Sequence, residues 1–315
     1  MGESFKPYRI TGMAVDPIHV GTGGGRLGRV DQSIVRDPVT RAPKIPGSSL
    51  AGVYRAYAAM AKDRYPGCAG QGQPDKQGKG GHCGNRDCPI CTVFGFTRSA
   101  GGGFAGLAAF NDAQVLLFPV ATREGPVWIT CPGAMQLVAG SFPDVEDHVI
   151  LRPQAGSALN LGWLLLQVKK YDNGQDPGPL LNELEIPEYV RQRVALVSDK
   201  LFSHIVNSNL EVRTSVSINP ETGAAEEGAL FTYEALPRST VLLWEVICKN
   251  PVHFKVGGGT VDAVKDVDAI FETVTAAHPY LECLGIGGMG TRGMGRLRVL
   301  SPKQSSASGN QGGGA

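Results

Sequence analysis

Cys68, Cys83, Cys88 and Cys91 crowd into 24 of the chain's 315 residues, with the spacing C-x14-C-x4-C-x2-C and His82 beside Cys83. Two ligands in a tight C-x2-C turn plus two more form a donor set for tetrahedral Zn²⁺. The Gly, Pro, Gln, Lys and Asp between them cannot build a core, and a bound metal supplies that folding energy instead. Spacing leaves open whether Cys68 or His82 completes the set. The rival reading is a group of unliganded thiols in a reducing compartment. A closed set of four ligands has no open position, so the expected role of Zn²⁺ is structural. Cys131, Cys248 and Cys283 fall on apolar stretches and read as core.

The second chemistry is carried by glycine and arginine. The spacing G-x-G-x-x-G occurs at Gly23, Gly25 and Gly28, at Gly285, Gly287 and Gly290, and at Gly288, Gly290 and Gly293. A dinucleotide site needs that spacing between a strand and a helix N-terminus. Neither context is met: Arg-Val-Asp-Gln-Ser follows Gly28, and the strand-like Arg-Leu-Arg-Val-Leu follows Gly295. These segments read as loops, or as backbone that approaches a ligand. The first is followed by a basic stretch. Between residues 23 and 64 eight cations (Arg26, Arg29, Arg36, Arg41, Lys44, Arg55, Lys62, Arg64) face three acids (Asp31, Asp37, Asp63), on a chain whose total is +1. A solvated face explains such a run; so does phosphate contact. Pro46-Gly47-Ser48-Ser49-Leu50 puts small residues and hydroxyls at a helix start, suited either to capping or to a phosphate. Gly288, Gly290, Thr291 and Arg292, with Arg296 and Arg298, form a second glycine-and-arginine segment.

The elements that must position these residues read as α+β. Strands are expected at 5–15, 105–120, 126–131, 161–170, 211–218, 228–234, 240–248 and 295–300. Helices are expected at 48–64, 199–209 (capped by Ser198) and 261–277, and Glu221-Thr222-Gly223 reads as a turn. Pairs of adjacent strands argue against a doubly wound parallel sheet and fit a split β-α-β, ferredoxin-like core. Hydrophobic residues at 42% and charged residues at 19% allow a real core. No apolar h-region opens the sequence, and its longest apolar stretch is too short for a bilayer. A cytoplasmic protein without membrane partners is expected.

Several ordered motifs resemble the RAMP superfamily of CRISPR proteins, and within it the repeated backbone subunit of type III effector complexes. They are Pro17-Ile18-His19-Val20-Gly21-Thr22-Gly23, Val30-Asp31-Gln32 with Ile34, Arg36-Asp37 and Ile45-Pro46-Gly47-Ser48-Ser49-Leu50. Val93-Phe94-Gly95, Asn111-Asp112-Ala113, Leu117-Phe118-Pro119-Val120, Val127-Trp128-Ile129-Thr130-Cys131-Pro132, Glu211-Val212-Arg213-Thr214 and Asn219-Pro220-Glu221-Thr222-Gly223 look like the type III-B (Cmr) version. The cysteine cluster, Arg36-Asp37-Pro38 and Gly288-Met289-Gly290-Thr291-Arg292-Gly293 look more like the type III-A (Csm) counterpart.

The resemblance implies one elaborated domain over 1–301 with an RRM-like core. A zinc-binding insertion is expected at 66–92, a thumb hairpin at 143–161 and a disordered tail at 302–315. It implies copies stacking along a guide CRISPR RNA with other type III effector subunits. It further implies that Asp31 cuts target RNA with Mg²⁺ or another divalent cation. His19, Arg26, Arg29, Lys44, Ser48, Ser49, Arg55, Gly288, Gly290, Thr291 and Arg292 are the expected RNA contacts. A lone loop Asp is ordinarily just solvated, so a non-catalytic RNA scaffold is the rival. A guide-processing nuclease is a second rival, although the sequence shows no His cluster for acid–base chemistry.

Overall fold

The computed structural model describes residues 4–23, 30–70, 81–97, 103–172, 174–226 and 228–300. Its first half runs β1 (Phe5–Ala14), β2 (Lys44–Ile45), α1 (Gly47–Ala61), α2 (Pro89–Phe94), β3 (Phe96–Thr97), β4 (Gly103–Phe104), β5 (Ala108–Phe110), β6 (Ala113–Thr122), β7 (Gly125–Thr130) and α3 (Pro132–Ala139). Next come β8 (Val149–Arg152), β9 (Gly156–Leu161), β10 (Leu164–Lys170), α4 (Gly178–Asn182), α5 (Glu188–Arg191), β11 (Val194–Leu196) and α6 (Asp199–Ser208). The remainder is β12 (Glu211–Ser215), β13 (Phe231–Ala235), β14 (Val241–Lys249), β15 (Lys255–Val256), β16 (Gly259–Thr260), α7 (Val267–Thr275), α8 (His278–Leu284) and β17 (Leu297–Leu300).

An 11-stranded sheet carries the fold, in the order β17-β1-β14-β6-β7-β11-β8-β10-β9, with β2 and β5 attached at its side. The first four strands pair antiparallel throughout. Helix α1 lies in the connection from β1 to β6, and α7 and α8 in that from β14 to β17. That is the split β-α-β order expected from the sequence. The core follows the pleat and the helical period. Tyr8 and Ile10 are buried two apart on β1, and Leu50, Tyr54 and Ala58 four apart on α1. Ser198 caps α6 by accepting a hydrogen bond from Leu201 N, as its position predicts.

Three expectations need correction. Residues 143–161 do not form a hairpin: they supply β8 and β9, and β10 lies between these two strands. Val149, Ile150 and Leu151 are all buried, so β8 is an interior strand and cannot protrude. Of the described strand pairs that stand apart from the main sheet, β12–β13 is longer than β15–β16 and β3–β4. Its far end turns at Asn219, whose side chain accepts from Glu221 N and Thr222 N. The helix expected at 261–277 begins only at Val267, where the Asp266 side chain accepts from Ala269 N. Cys283 is exposed, because the apolar run around it is a short helix with one face outward; Cys131 and Cys248 are core as expected. Among the described residues no helix is long and apolar enough to cross a membrane. Residues 302–315, where a tail was expected, lie outside the described residues.

Candidate functional site

Asp31 stands at the mouth of a cleft of about 530 Å³ lined by His19, Gly21, Thr22, Gly23, Asp31, Gln32, Ser33, Gly288 and Met289. Four segments meet there. Ile18 bridges Leu236, His19 bridges Gly288, Gly21 bridges Ile34, and Gln32 bridges Tyr233. The glycine loop can approach because Gly287 has no Cβ: one built there would lie 2.3 Å from the His19 carbonyl. Gly288 N then donates to that carbonyl at 2.8 Å.

The Asp31 side chain is exposed but fixed. Its Oδ2 accepts from Thr232 N at 2.7 Å and from Thr232 Oγ1 at 2.9 Å. These two donors, the amide first, hold its carboxyl below the usual Asp range, so it is an anion at neutral pH. Among the described residues both donors to the Asp31 side chain meet Oδ2, which leaves Oδ1 without one. A carboxylate of this kind suits a hard cation shared with an RNA phosphate, since Mg²⁺ is commonly held by one or two carboxylates plus phosphate oxygens.

His19 is buried at the back of the cleft. Its Nδ1 lies 2.6 Å from the Glu234 carbonyl, which can only accept, so Nδ1 carries a proton. Nε2 is the ring's second nitrogen and makes no contact with that carbonyl. It lies on the side of Gly21, where an added Cβ would meet it at 2.9 Å. The Glu234 carboxylate is committed elsewhere: it pairs with Arg36 at 2.8 Å, and Arg36 also donates to Asn207 and to the Ile34 carbonyl. Thr232, Glu234 and Arg36 are thus the supports that sequence reasoning missed. They act across about 200 positions of chain, and no local spacing announces such pairing.

The other expected RNA contacts divide. Thr291 and Arg292 are exposed, on a tight turn after Met289, and Arg292 reaches Ser215 Oγ on β12 at 3.3 Å. Arg296 and Arg298 are spent on Asp16 and Glu282. Ser48 is exposed and Ser49 half-buried, and neither caps α1; the residue before the helix is Pro46. The anion at that helix start is Asp112, which accepts from Gly47 N at 2.8 Å and from Lys44 Nζ at 2.6 Å. Lys44 also lies 3.7 Å from Asp37, so its charge is already answered within the protein. Arg55 is a correction. Its guanidinium is buried and donates to the Cys68 and Gly95 carbonyls, because it lies on the inner face of α1. Arg26 and Arg29 lie outside the described residues.

A second centre sits beyond α1. The sulfurs of Cys68, Cys83, Cys88 and Cys91 all lie within 4.8 Å of one another. Cys68 and Cys88 are 3.8 Å apart and Cys83 and Cys91 3.6 Å. Tetrahedral Zn²⁺ with bonds of about 2.3 Å separates its sulfurs by about 3.8 Å, so the donor set fits. A disulfide would bring two of them to about 2.05 Å. The sulfurs act on one another: the hydrogen bond from the Cys91 thiol pushes Cys88 down, the same bond pushes Cys91 up, and burial pushes Cys83 up. His82 is not in the cluster; its Nε2 lies 2.8 Å from the Gly70 carbonyl. The insertion does have a small core of its own, in which Ala58, Ala59, Ile90, Phe96 and Val256 pack with Cys68, Cys88 and Cys91.

Comparison with known proteins places this architecture. The model of the RAMP superfamily matches residues 13–298. The chain belongs to the RAMP superfamily. A Pyrococcus furiosus protein, CRISPR system Cmr endoribonuclease Cmr4, is 26% identical over 94% of this chain and 95% of its own length. CRISPR system Cms endoribonuclease Csm3 of Methanothermobacter thermautotrophicus is 39% identical over a shorter stretch, 29% of this chain and 34% of its own. Among solved structures, a crystal structure of Cmr4 superposes with a TM-score of 0.60 at 20% identity, covering 95% of this RAMP chain and 99% of that one. A type III-B Cmr-beta complex bound to cognate target RNA contains a chain that superposes with a TM-score of 0.61 at 17% identity, covering 95% and 99%. At these identities the superpositions establish the shared fold.

Proposed function

We propose that this RAMP chain is a backbone subunit of a type III CRISPR effector complex, binding guide CRISPR RNA and cleaving complementary target RNA at the Asp31 cleft. The full-length similarity to an endoribonuclease supports the activity. The observation that carries the site is Asp31 itself: an exposed carboxylate, held by two donors from β13, at the mouth of a cleft walled by a glycine loop.

RNA brings its own nucleophile, the 2′-hydroxyl. The chain's part is to place a negative oxygen beside the scissile phosphate and keep it ionised, which the Thr232 donors do for Asp31. A divalent cation such as Mg²⁺, bound between Asp31 and the RNA, would neutralise phosphate charge. With Nδ1 turned to the Glu234 carbonyl, His19 leaves Nε2 on the side of Gly21, where it would meet a ribose hydroxyl. Gly288 and Gly290 allow close approach of backbone to RNA. Thr291 and Arg292, on the turn after Met289, and Ser48 and Ser49, in the first turn of α1, supply phosphate contacts.

The free-standing hairpin β12–β13 is the better candidate for the thumb than residues 143–161. It carries Thr232 beside Asp31, and it exposes Val216, Ile218 and Leu230 toward its far end. Apolar side chains of that kind can wedge between bases and help set an in-line geometry. Copies of the chain would stack along the guide with other effector subunits in the cytoplasm. The four cysteines would hold one structural Zn²⁺, with Cys68 in preference to His82.

The test is a complex assembled with Asp31→Ala and offered complementary RNA. Retained binding with lost regular cleavage is expected. Unchanged cutting would make the chain a scaffold, and cleavage of repeat RNA by the isolated protein would favour guide processing.

A further inference from the structure

Arg55 presents a physical problem that the four thiols alone do not solve. It is 7% exposed, and among the described residues it forms no ion pair with Asp or Glu. Its three hydrogen bonds go to the Cys68 carbonyl at 2.6 Å, the Gly95 carbonyl at 2.6 Å and Cys91 Sγ at 4.0 Å. A guanidinium cannot shed its charge in a protein, and a buried charge without a counter-ion is strongly unfavourable. The buried Glu234 shows how this chain answers such a charge elsewhere, with Arg36 at 2.8 Å. Among the described residues, the groups beside Arg55 able to carry negative charge are the sulfurs. Four neutral thiols provide none. Four thiolates around one divalent cation leave two net negative charges, one of which Arg55 would balance.

The geometry of the fork adds a second argument. Cys68 and Cys91 sit on different segments: the turn that follows α1, and α2. Arg55 holds the carbonyl of the first ligand residue, the carbonyl of Gly95 just past the helix bearing the other, and that ligand's sulfur. It comes from outside the insertion, from the middle of α1. Leu50 and Tyr54 of the same helix pack into the main core, while Ala58 and Ala59 pack into the cysteine lobe.

We infer that Arg55 is a positioning residue of the metal centre, balancing its charge and clamping two of its ligand-bearing segments to α1. This rests on the zinc reading above. It also changes what a basic residue in this stretch means, since Arg55 serves thiolates and not phosphate.

The test uses the full chain with wild-type Arg55, Arg55→Met and Arg55→Lys. It measures zinc per chain, the rate of zinc transfer to a chromogenic chelator, and the thiolate-to-metal charge-transfer band of the Co²⁺-substituted protein. Removing a group that orients metal ligands costs roughly 10- to 100-fold in metal affinity. Arg55→Met is therefore expected to release zinc roughly 10- to 100-fold faster and to shift the band, because a sulfur loses its N–H donor. Arg55→Lys, which keeps the charge and loses the fork, is expected between the two. Val256→Ala thins the same small core without removing a donor; it should lower the melting temperature and leave the band in place. Wild-type release and an unmoved band in Arg55→Met overturn the inference while the zinc reading stands. If Arg55→Met does not fold, Arg55→Lys decides, and release at the wild-type rate overturns the inference. Wild-type protein without metal overturns the zinc reading and this inference together.

Discussion

The four sulfurs of the cysteine lobe come from 24 consecutive residues and meet within 4.8 Å, whereas the cleft joins Asp31 to a donor 201 positions away. The lobe is a local structure tied to the body through α1, Arg55 and the segment around Val256 and Asp262. The cleft exists only when β13, the glycine loop and the segment after Val30 are in register on the sheet. Damage to the lobe should therefore appear as lost metal and lost stability, and damage to the cleft as lost cleavage. Apart from Glu234, whose buried pair with Arg36 also carries stability, a variant that crosses this line breaks the comparison.

The largest expected effect is on the lobe. Cys88→Ser combined with Cys91→Ser should reduce metal from about one per chain to none and lower the melting temperature by many degrees, because structural zinc contributes folding energy directly. Metal analysis and thermal unfolding check this; full metal content in that double variant would refute the four-cysteine site. Next is the one cleft support expected to act through stability. Glu234→Gln strips a mostly buried Arg36 of its carboxylate, whose side chains are 10% and 17% exposed. Denaturant unfolding should show a loss of about 3 kcal/mol, the lower end for a broken buried pair.

A smaller and purely functional effect is expected at Thr232. Thr232→Val removes the hydroxyl donor to Asp31 and keeps the amide donor. The carboxyl is held low by these donors, so losing one moves it up toward the ordinary range. The acidic limb of the pH–rate profile should shift to higher pH, and the neutral-pH rate should fall roughly tenfold through poorer placement, with the melting temperature unchanged. Smallest is the contrast between two arginines. Arg292→Ala should weaken RNA binding uniformly across sequences and reduce the salt slope by about 1. Arg298→Ala, already paired with Glu282, should alter stability by less than about 0.5 kcal/mol and leave binding unmoved. Salt titrations of RNA affinity distinguish them.

What could be read in advance follows from the same contrast. The cysteine spacing announced the lobe because ligands of one ion lie close in sequence. Periodicity located β1, α1, α6 and β14, and Ser198 marked the start of α6. The hand-holding of Asp31 by Thr232 and of His19 by Glu234 was not legible, because register between distant strands leaves no mark in either one. Charge was legible only as a count. Lys44, Arg36 and Arg55 all add to a basic stretch, yet the structure commits them to Asp112, to Glu234 and to the cysteine lobe. The hairpin beside the cleft was misplaced because β8 and β9 share its strand-like composition, and only pairing shows that they belong to the sheet.

The central claim is tested most directly by single-turnover cleavage of complementary RNA by a complex carrying Asp31→Asn. The amide keeps the shape and can still accept from Thr232, but it carries no charge. Unchanged RNA affinity with cleavage slowed roughly 100-fold or more is the predicted result. A cleavage rate within about twofold of wild type, at equal affinity, would contradict the assignment of the cleft as the cutting site.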